Sequence, residues 1–141
     1  MTKLKILPLL ILFCSCYENT PEPANKPYLI AGNSEFGKTW SISQIEVELG
    51  TLTPRPCVTD NFITYFPNGN YEINEGASKC TPNDPPAVVG SWSMNTEQTL
   101  VSVTIGDSIQ NWVIESIDNN NHRITSQFRE GERTYVLTVR N

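Results

Sequence analysis

The stretch TLVSVTIGDSIQNWVIESIDNNNHRITSQFREGERTYVLTVR, residues 99–140, decides the fold. Apolar and polar residues alternate along it in four runs, 99–105, 108–117, 122–128 and 133–140. A period of two is the pattern of a half-buried β-strand, because successive side chains point to opposite faces. The separators are short and made of turn-forming residues: Gly106-Asp107, the polar run 118–121, and Glu130-Gly131-Glu132. Neighbouring strands so connected pair antiparallel, which makes a meander.

Working back along the chain, the same alternation recurs at 88–94, 70–74, 61–66 and 38–48. Asn68-Gly69 sits between two of these runs and is a strong hairpin signal, since both residues accept positive φ. The count is eight strands, and the chain has no convincing helical period from Gly37 onward. Two strands change phase. Trp40 and Ile42 share one face whereas Ile45, Val47 and Leu49 share the other, and in the run 108–117 Ile109 is out of step with Trp112 and Ile114, with Ile117 reverting. A phase slip inside an apolar strand marks a bulge or bend. Bent strands let a meander curl until its edges meet, which removes exposed edges. The expected fold is therefore all-β, a small up-and-down antiparallel eight-stranded barrel over residues 37–141. An open sheet or two-sheet sandwich is the competing arrangement.

The beginning of the chain sets the compartment. Lys3 and Lys5 precede an apolar run from Ile6 to Phe13 that is shorter than the ~20 residues a membrane-crossing helix needs. A basic start, a short apolar centre and small residues after it form a secretory signal. Phe13-Cys14-Ser15-Cys16 resembles the lipobox of bacterial lipoproteins. That resemblance implies a signal peptide over 1–15, a lipid on Cys16, and attachment to a membrane facing the periplasm or the cell surface. Two or three acyl chains hold stably, because each buried CH₂ contributes about 0.8 kcal/mol. Residues 16–36 are rich in Pro, Asn and Glu and read as a flexible tether, reaching roughly 60 Å when stretched. Tyr28, Leu29 and Ile30 within it either pack on the domain or belong to the linker.

Without residues 1–15 the chain keeps eight of its ten Lys and Arg and all fifteen Asp and Glu, a net charge of −7. This acidic balance, with one histidine and no basic cluster, argues against nucleic acid as a partner. Two cysteines remain for the domain, Cys57 and Cys80, and in an oxidising compartment their simplest state is a disulfide. Free thiols or a metal pair are the alternatives, but His122 has no second ligand at metal spacing. Counting connections in an up-and-down barrel puts both cysteines at one rim, opposite the tether. The bond would close a loop of about 24 residues and stabilise by roughly 3–4 kcal/mol.

The layout resembles the lipocalin-like domains of bacterial lipoproteins, within the calycin-type barrels. The residues carrying the likeness are Gly37-Lys38-Thr39-Trp40, Phe66-Pro67-Asn68-Gly69-Asn70-Tyr71, Gly90-Ser91-Trp92-Ser93 and Arg140. The first has Gly-x-x-Trp spacing where the family has Gly-x-Trp. The resemblance implies a closed end at which Arg140 packs over Trp40. It also implies a small hydrophobic ligand, with Phe62, Phe66, Tyr71, Trp92 and Trp112 as candidate lining residues and the cysteine-linked loops as its cover. Side chains filling a small barrel are the competing use of the same aromatics. No cofactor is implied and no acid/base pair or nucleophile motif stands out. Asp60 and Asp84 fall in polar loops and His122 reads as a solvated residue opening a strand. Two functions follow: a non-catalytic module binding a small hydrophobic molecule, or a structural lipoprotein with a packed interior whose loops dock an envelope protein.

Overall fold

A computed structural model of the chain describes residues 25–128 and 131–140. The expected signal peptide, Cys16 and residues 16–24 of the expected tether lie outside these residues. A short helix α1 (Lys26–Ala31) is followed by β1 (Lys38–Val47), β2 (Gly50–Leu52), α2 (Pro56–Thr59), β3 (Phe62–Tyr65), β4 (Asn70–Asn74), β5 (Ala87–Met94), β6 (Leu100–Ile105), β7 (Ser108–Ile117), β8 (Asn121–Phe128) and β9 (Gly131–Val139). Every neighbouring pair is antiparallel, and β1 also pairs with β9. Eight strands thus close into an up-and-down barrel. The addition is β2, which folds back onto β1 at Ile45–Val47, where β3 no longer reaches.

Both expected phase slips are bulges. Between β1 and β9 the register shifts between Ile42 and Gln44, so that Ile42 faces Leu137 while Ile45 faces Tyr135. The extra residue at Ser43 therefore keeps Ile42, Ile45 and Val47 on the inner face, which an unbroken alternation could not do. Ser43 Oγ donates to the Val136 carbonyl at 2.9 Å. Between β7 and β8 the shift falls at Glu115, leaving Ile114 opposite Ile124 and Ile117 opposite His122.

The segment expected to be a tether is in part folded. Its last part is α1, started by Asn25, whose side chain accepts from the Tyr28 N–H, and ended at Gly32. Ile30 and Ala31 are fully buried in the core cluster. The packed domain therefore begins at Lys26 rather than Gly37. Polar composition hid this, because two apolar side chains with a place to go outweigh a linker-like context. Helix α1 lies across the end of the barrel where β1 begins, with the Trp40 indole N–H donating to the Ile30 carbonyl at 2.9 Å and Lys38 Nζ to the Leu29 carbonyl at 2.7 Å. Gly37, just before β1, has φ +71°, and a Cβ there would lie 2.5 Å from the Tyr65 carbonyl oxygen. Only glycine allows the chain to turn from α1 into β1 so close to β3.

Burial follows the barrel axis. At the α1 end the inward residues Trp40, Tyr65, Tyr71, Val101, Ile114, His122, Ile124 and Leu137 are buried. Toward the other end Ile42, Ile73, Ile105, Trp112 and Tyr135 are only partly buried, and Gln110 is exposed. The α1 end, the floor of the barrel, is the more buried of the two, although Trp92, Met94, Ile117 and Val139 there are also partly buried, and the opposite half is the more exposed.

Candidate functional site

The accessible half is bounded by the loops between β2 and β3 and between β4 and β5. The Cys57–Cys80 disulfide joins them, as expected, with Cα atoms 5.0 Å apart. Asp60 adds a second tie, accepting hydrogen bonds from Ala77 N and Ser78 N at 3.0 and 2.7 Å. Both connections spring from the β3–β4 side, at the rim opposite α1.

Strand register assigns each candidate aromatic to a face. Tyr71 stands opposite Tyr65, and Trp92 opposite the buried Val103, so both face inward. They belong to the floor: Tyr65 meets Tyr71 at 5.1 Å and Trp92 at 5.4 Å, both edge-to-face. The Trp92 indole donates to the Phe66 carbonyl at 2.9 Å, and burial holds the Tyr71 phenol well above its usual pKa. Such edge-to-face contacts add to area burial. Trp112 is different. It faces inward in the accessible half, opposite Val101, and packs at 5.4 Å against Tyr135. Its indole nitrogen is buried and has no hydrogen-bond partner among the described residues.

Phe62 and Phe66 do not line the interior. Each alternates with an inward residue, Ile63 or Tyr65, which places it on the outer wall. The pairing of Arg140 with Trp40 is also corrected. Val139 is the inward partner of Trp40, so Arg140 falls on the outer face, where its guanidinium lies 4.4 Å from the Phe62 ring centre. It reaches on to the Asp60 carbonyl at 3.3 Å. The cation over Trp40 is Lys38, whose Nζ is 4.4 Å from the ring centre.

His122, expected in solvent, is fully buried in the floor, 5.5 Å from the Trp40 ring. Its position in β8 is in phase with Ile124, and the preceding asparagines concealed that phase. Neither ring nitrogen has a partner among the described residues, and burial, helped by the Lys38 charge, pushes its pKa down to about 3. The imidazole is neutral at physiological pH.

On the outer wall Arg123 bridges Glu46 and Glu115, the latter at 3.0 Å, and Thr125 donates to Glu115 at 2.8 Å. The guanidinium and these hydrogen bonds hold both carboxyl groups below the usual carboxylate range. Glu46, Glu115 and Arg123 line a groove of about 450 Å³ on the outer wall, together with Val47, Glu48, Glu132 and Thr134. Among the described residues, no group of three or more His, Cys, Asp or Glu side chains is placed to hold a metal, and no helix is long and apolar enough to cross a membrane.

No protein-family model matches the sequence, and no curated protein resembles it closely enough to count as a relative. Among solved structures, the crystal structure of a lipocalin-like protein from Bacteroides uniformis aligns with a TM-score of 0.52 and 10% identity, covering 74% of this chain and 98% of that one. The barrel is lipocalin-like. At this identity the likeness is one of fold.

Proposed function

We propose that the chain is a lipid-anchored, non-catalytic lipocalin-like lipoprotein that binds a small hydrophobic ligand in the half of its barrel away from α1. The observation that carries this is the Trp112 indole N–H, buried with no partner in a region whose inward apolar side chains are only partly covered. Leaving a buried donor unpaired costs about 1–3 kcal/mol. A ligand whose apolar body covers Ile42, Ile73, Ile105 and Tyr135, and whose acceptor meets Trp112, relieves that cost. Lipid on Cys16 is supported by the signal-like sequence before it, and with α1 at the tether side the accessible rim faces outward. Native mass spectrometry of the lipid-free chain (residues 16–141 with Cys16→Ala) tests binding. A co-purified or added apolar molecule retained by this chain and lost in Trp112→Ala supports it; a chain that excludes every apolar probe contradicts it.

A second reading rests on a different observation. Leu49 and Leu52, on the β1–β2 hairpin, are 98% and 48% exposed. Exposed leucines beside a cross-linked rim suit docking of an envelope protein. Photocrosslinking from position 49 that traps one specific protein favours this reading, and the absence of any adduct counts against it.

A further inference from the structure

The barrel wall is incomplete at one place. Strand β7 pairs with β6 from Ser108 onward, and β8 pairs with β9 as far as Phe128, yet β7 and β8 pair with each other only from Val113/Thr125 to Ile117/His122. Toward the rim their edges separate, linked only by a 3.3 Å hydrogen bond from Ser126 Oγ to the Asn111 carbonyl among the described side chains. Between them lies a slot of about 450 Å³, lined by Ile109, Gln110, Asn111, Val113, Ser126 and Gln127 among others.

Three features make this more than a surface dent. First, the lining comes from both faces of the sheet. Gln110 stands opposite buried Val103 and Ser126 is in phase with buried Ile124, so both point inward, while Ile109, Asn111 and Gln127 point outward. The rest of the lining, Leu100, Val113, Thr125 and Glu132, faces outward too, so the slot is a cleft in the outer wall whose inner edge is Gln110 and Ser126, with Gln110 two residues along β7 from Trp112. Second, the edges carry backbone groups outside the β7–β8 ladder. The Ile114 N–H donates to the Thr99 carbonyl, which by alternation turns the N–H and C=O groups of Ile109 and Asn111 toward the slot, where the Asn111 carbonyl accepts from Ser126 Oγ. Third, these edges are unguarded: SIQNWV (108–113) and TSQF (125–128) contain no charge and no proline. Sheet edges facing water are usually protected by such residues. The carboxylate at the mouth, Glu132, accepts from Gln127 Nε2 at 2.6 Å.

The disulfide-tied loops stand at the rim on the β3–β4 side, and β7–β8 lies diametrically across the eight-stranded ring from them.

We propose that the β7–β8 slot is a lateral doorway by which a slender, apolar, uncharged molecule reaches the interior beside Trp112. The inference rests on the ligand-binding reading above and adds the route and the shape of the ligand. Side-chain amides and the off-ladder backbone groups along the slot accommodate an uncharged hydrogen-bonding end, while Ile109 and Val113, 67% and 50% exposed, receive the apolar body first.

The test closes the slot. In the continued register Asn111 and Gln127 stand opposite each other, so Asn111→Cys/Gln127→Cys is introduced into the lipid-free chain (residues 16–141 with Cys16→Ala). Uptake of N-phenyl-1-naphthylamine is followed by stopped-flow fluorescence. Oxidation is expected to slow uptake at least tenfold with the final signal unchanged, and reductant to restore the rate, while the parent chain shows neither effect under the same reductant. Asn111→Trp, which covers the mouth without a cross-link, is expected to slow uptake in the same sense. Variants that fill as fast as the parent overturn the doorway and leave ligand binding standing. A parent chain that takes up no probe overturns both.

Discussion

The Trp40 indole N–H and the Ile30 carbonyl oxygen are 2.9 Å apart, and that bond fastens helix α1 across the floor of the barrel. Both residues are 0% exposed, so the contact is a core feature and not a terminal decoration. Ile30→Ala is expected to destabilise the domain by about 2–4 kcal/mol through lost burial and the cavity left behind. Urea unfolding followed by tryptophan fluorescence measures it. A loss below about 0.5 kcal/mol would mean that α1 is not part of the folded unit.

The disulfide between Cys57 and Cys80 joins residues 23 apart in sequence, while the barrel ladders lie elsewhere. Replacing both cysteines by serine should therefore cost about 3 kcal/mol, chiefly by freeing the unfolded chain. The folded variant should keep its far-ultraviolet circular dichroism. Calorimetry of the oxidised protein and the double variant supplies the comparison.

His122 makes stability depend on pH above the carboxylate range. Its folded pKa of about 3 lies below the ordinary value of 6.5, so the unfolded chain binds more protons between these values. Stability accordingly rises with pH through that window, by up to about 1.4 kcal/mol per unit, and falls as the solution is acidified from 6.5 toward 3. Glu46, Glu115 and Asp118, whose pKa values are held below 4.5, 4.5 and 3.8, reinforce the loss only at the acid end. Between pH 5 and 6.5 the slope belongs to the histidine. His122→Leu should flatten it, as denaturant midpoints at several pH values will show.

Gly90 faces inward opposite Tyr71, and a Cβ on it would lie 2.2 Å from the Thr104 carbonyl oxygen. Gly90→Ala must push β5 away from β6 at Thr104, and it also crowds Ile105 Cγ1 at 3.1 Å. A destabilisation of about 2 kcal/mol is expected, the usual scale for overpacking a dense interior. Thermal unfolding provides the value, and an unchanged midpoint would show that the strands give way freely.

Strand positions, the meander, both bulges and the cysteine pairing were legible in the sequence because each has a local signature: alternation, a phase slip, a turn dipeptide, an even thiol count. The faces of single residues were less so. Phe62 and Phe66 looked like lining residues on composition, yet their parity relative to Ile63 and Tyr65 puts them outside. His122 followed polar asparagines, and its burial depends on pairing with Ile117 and Leu137 on two other strands. The exchange of Arg140 for Lys38 over Trp40 likewise turns on one residue of register at the end of β9. Tyr135 and Gln110 became part of the accessible half only once the strands were in place. The separation of β7 from β8 has no local signal beyond a lack of charge along both edges.

The chain has three tryptophans, and their indole N–H groups differ in one respect. Those of Trp40 and Trp92 are bonded to the carbonyls of Ile30 and Phe66, whereas that of Trp112 has no partner among the described residues. Titrating the ¹⁵N-labelled, lipid-free chain with N-phenyl-1-naphthylamine, and identifying each indole resonance by single Trp→Phe variants, reads the proposed site directly. Ligand binding in the half of the barrel away from α1 predicts that the Trp112 indole signal moves to saturation while the other two stay in place. A titration in which all three remain still, or in which Trp40 or Trp92 moves and Trp112 does not, contradicts it.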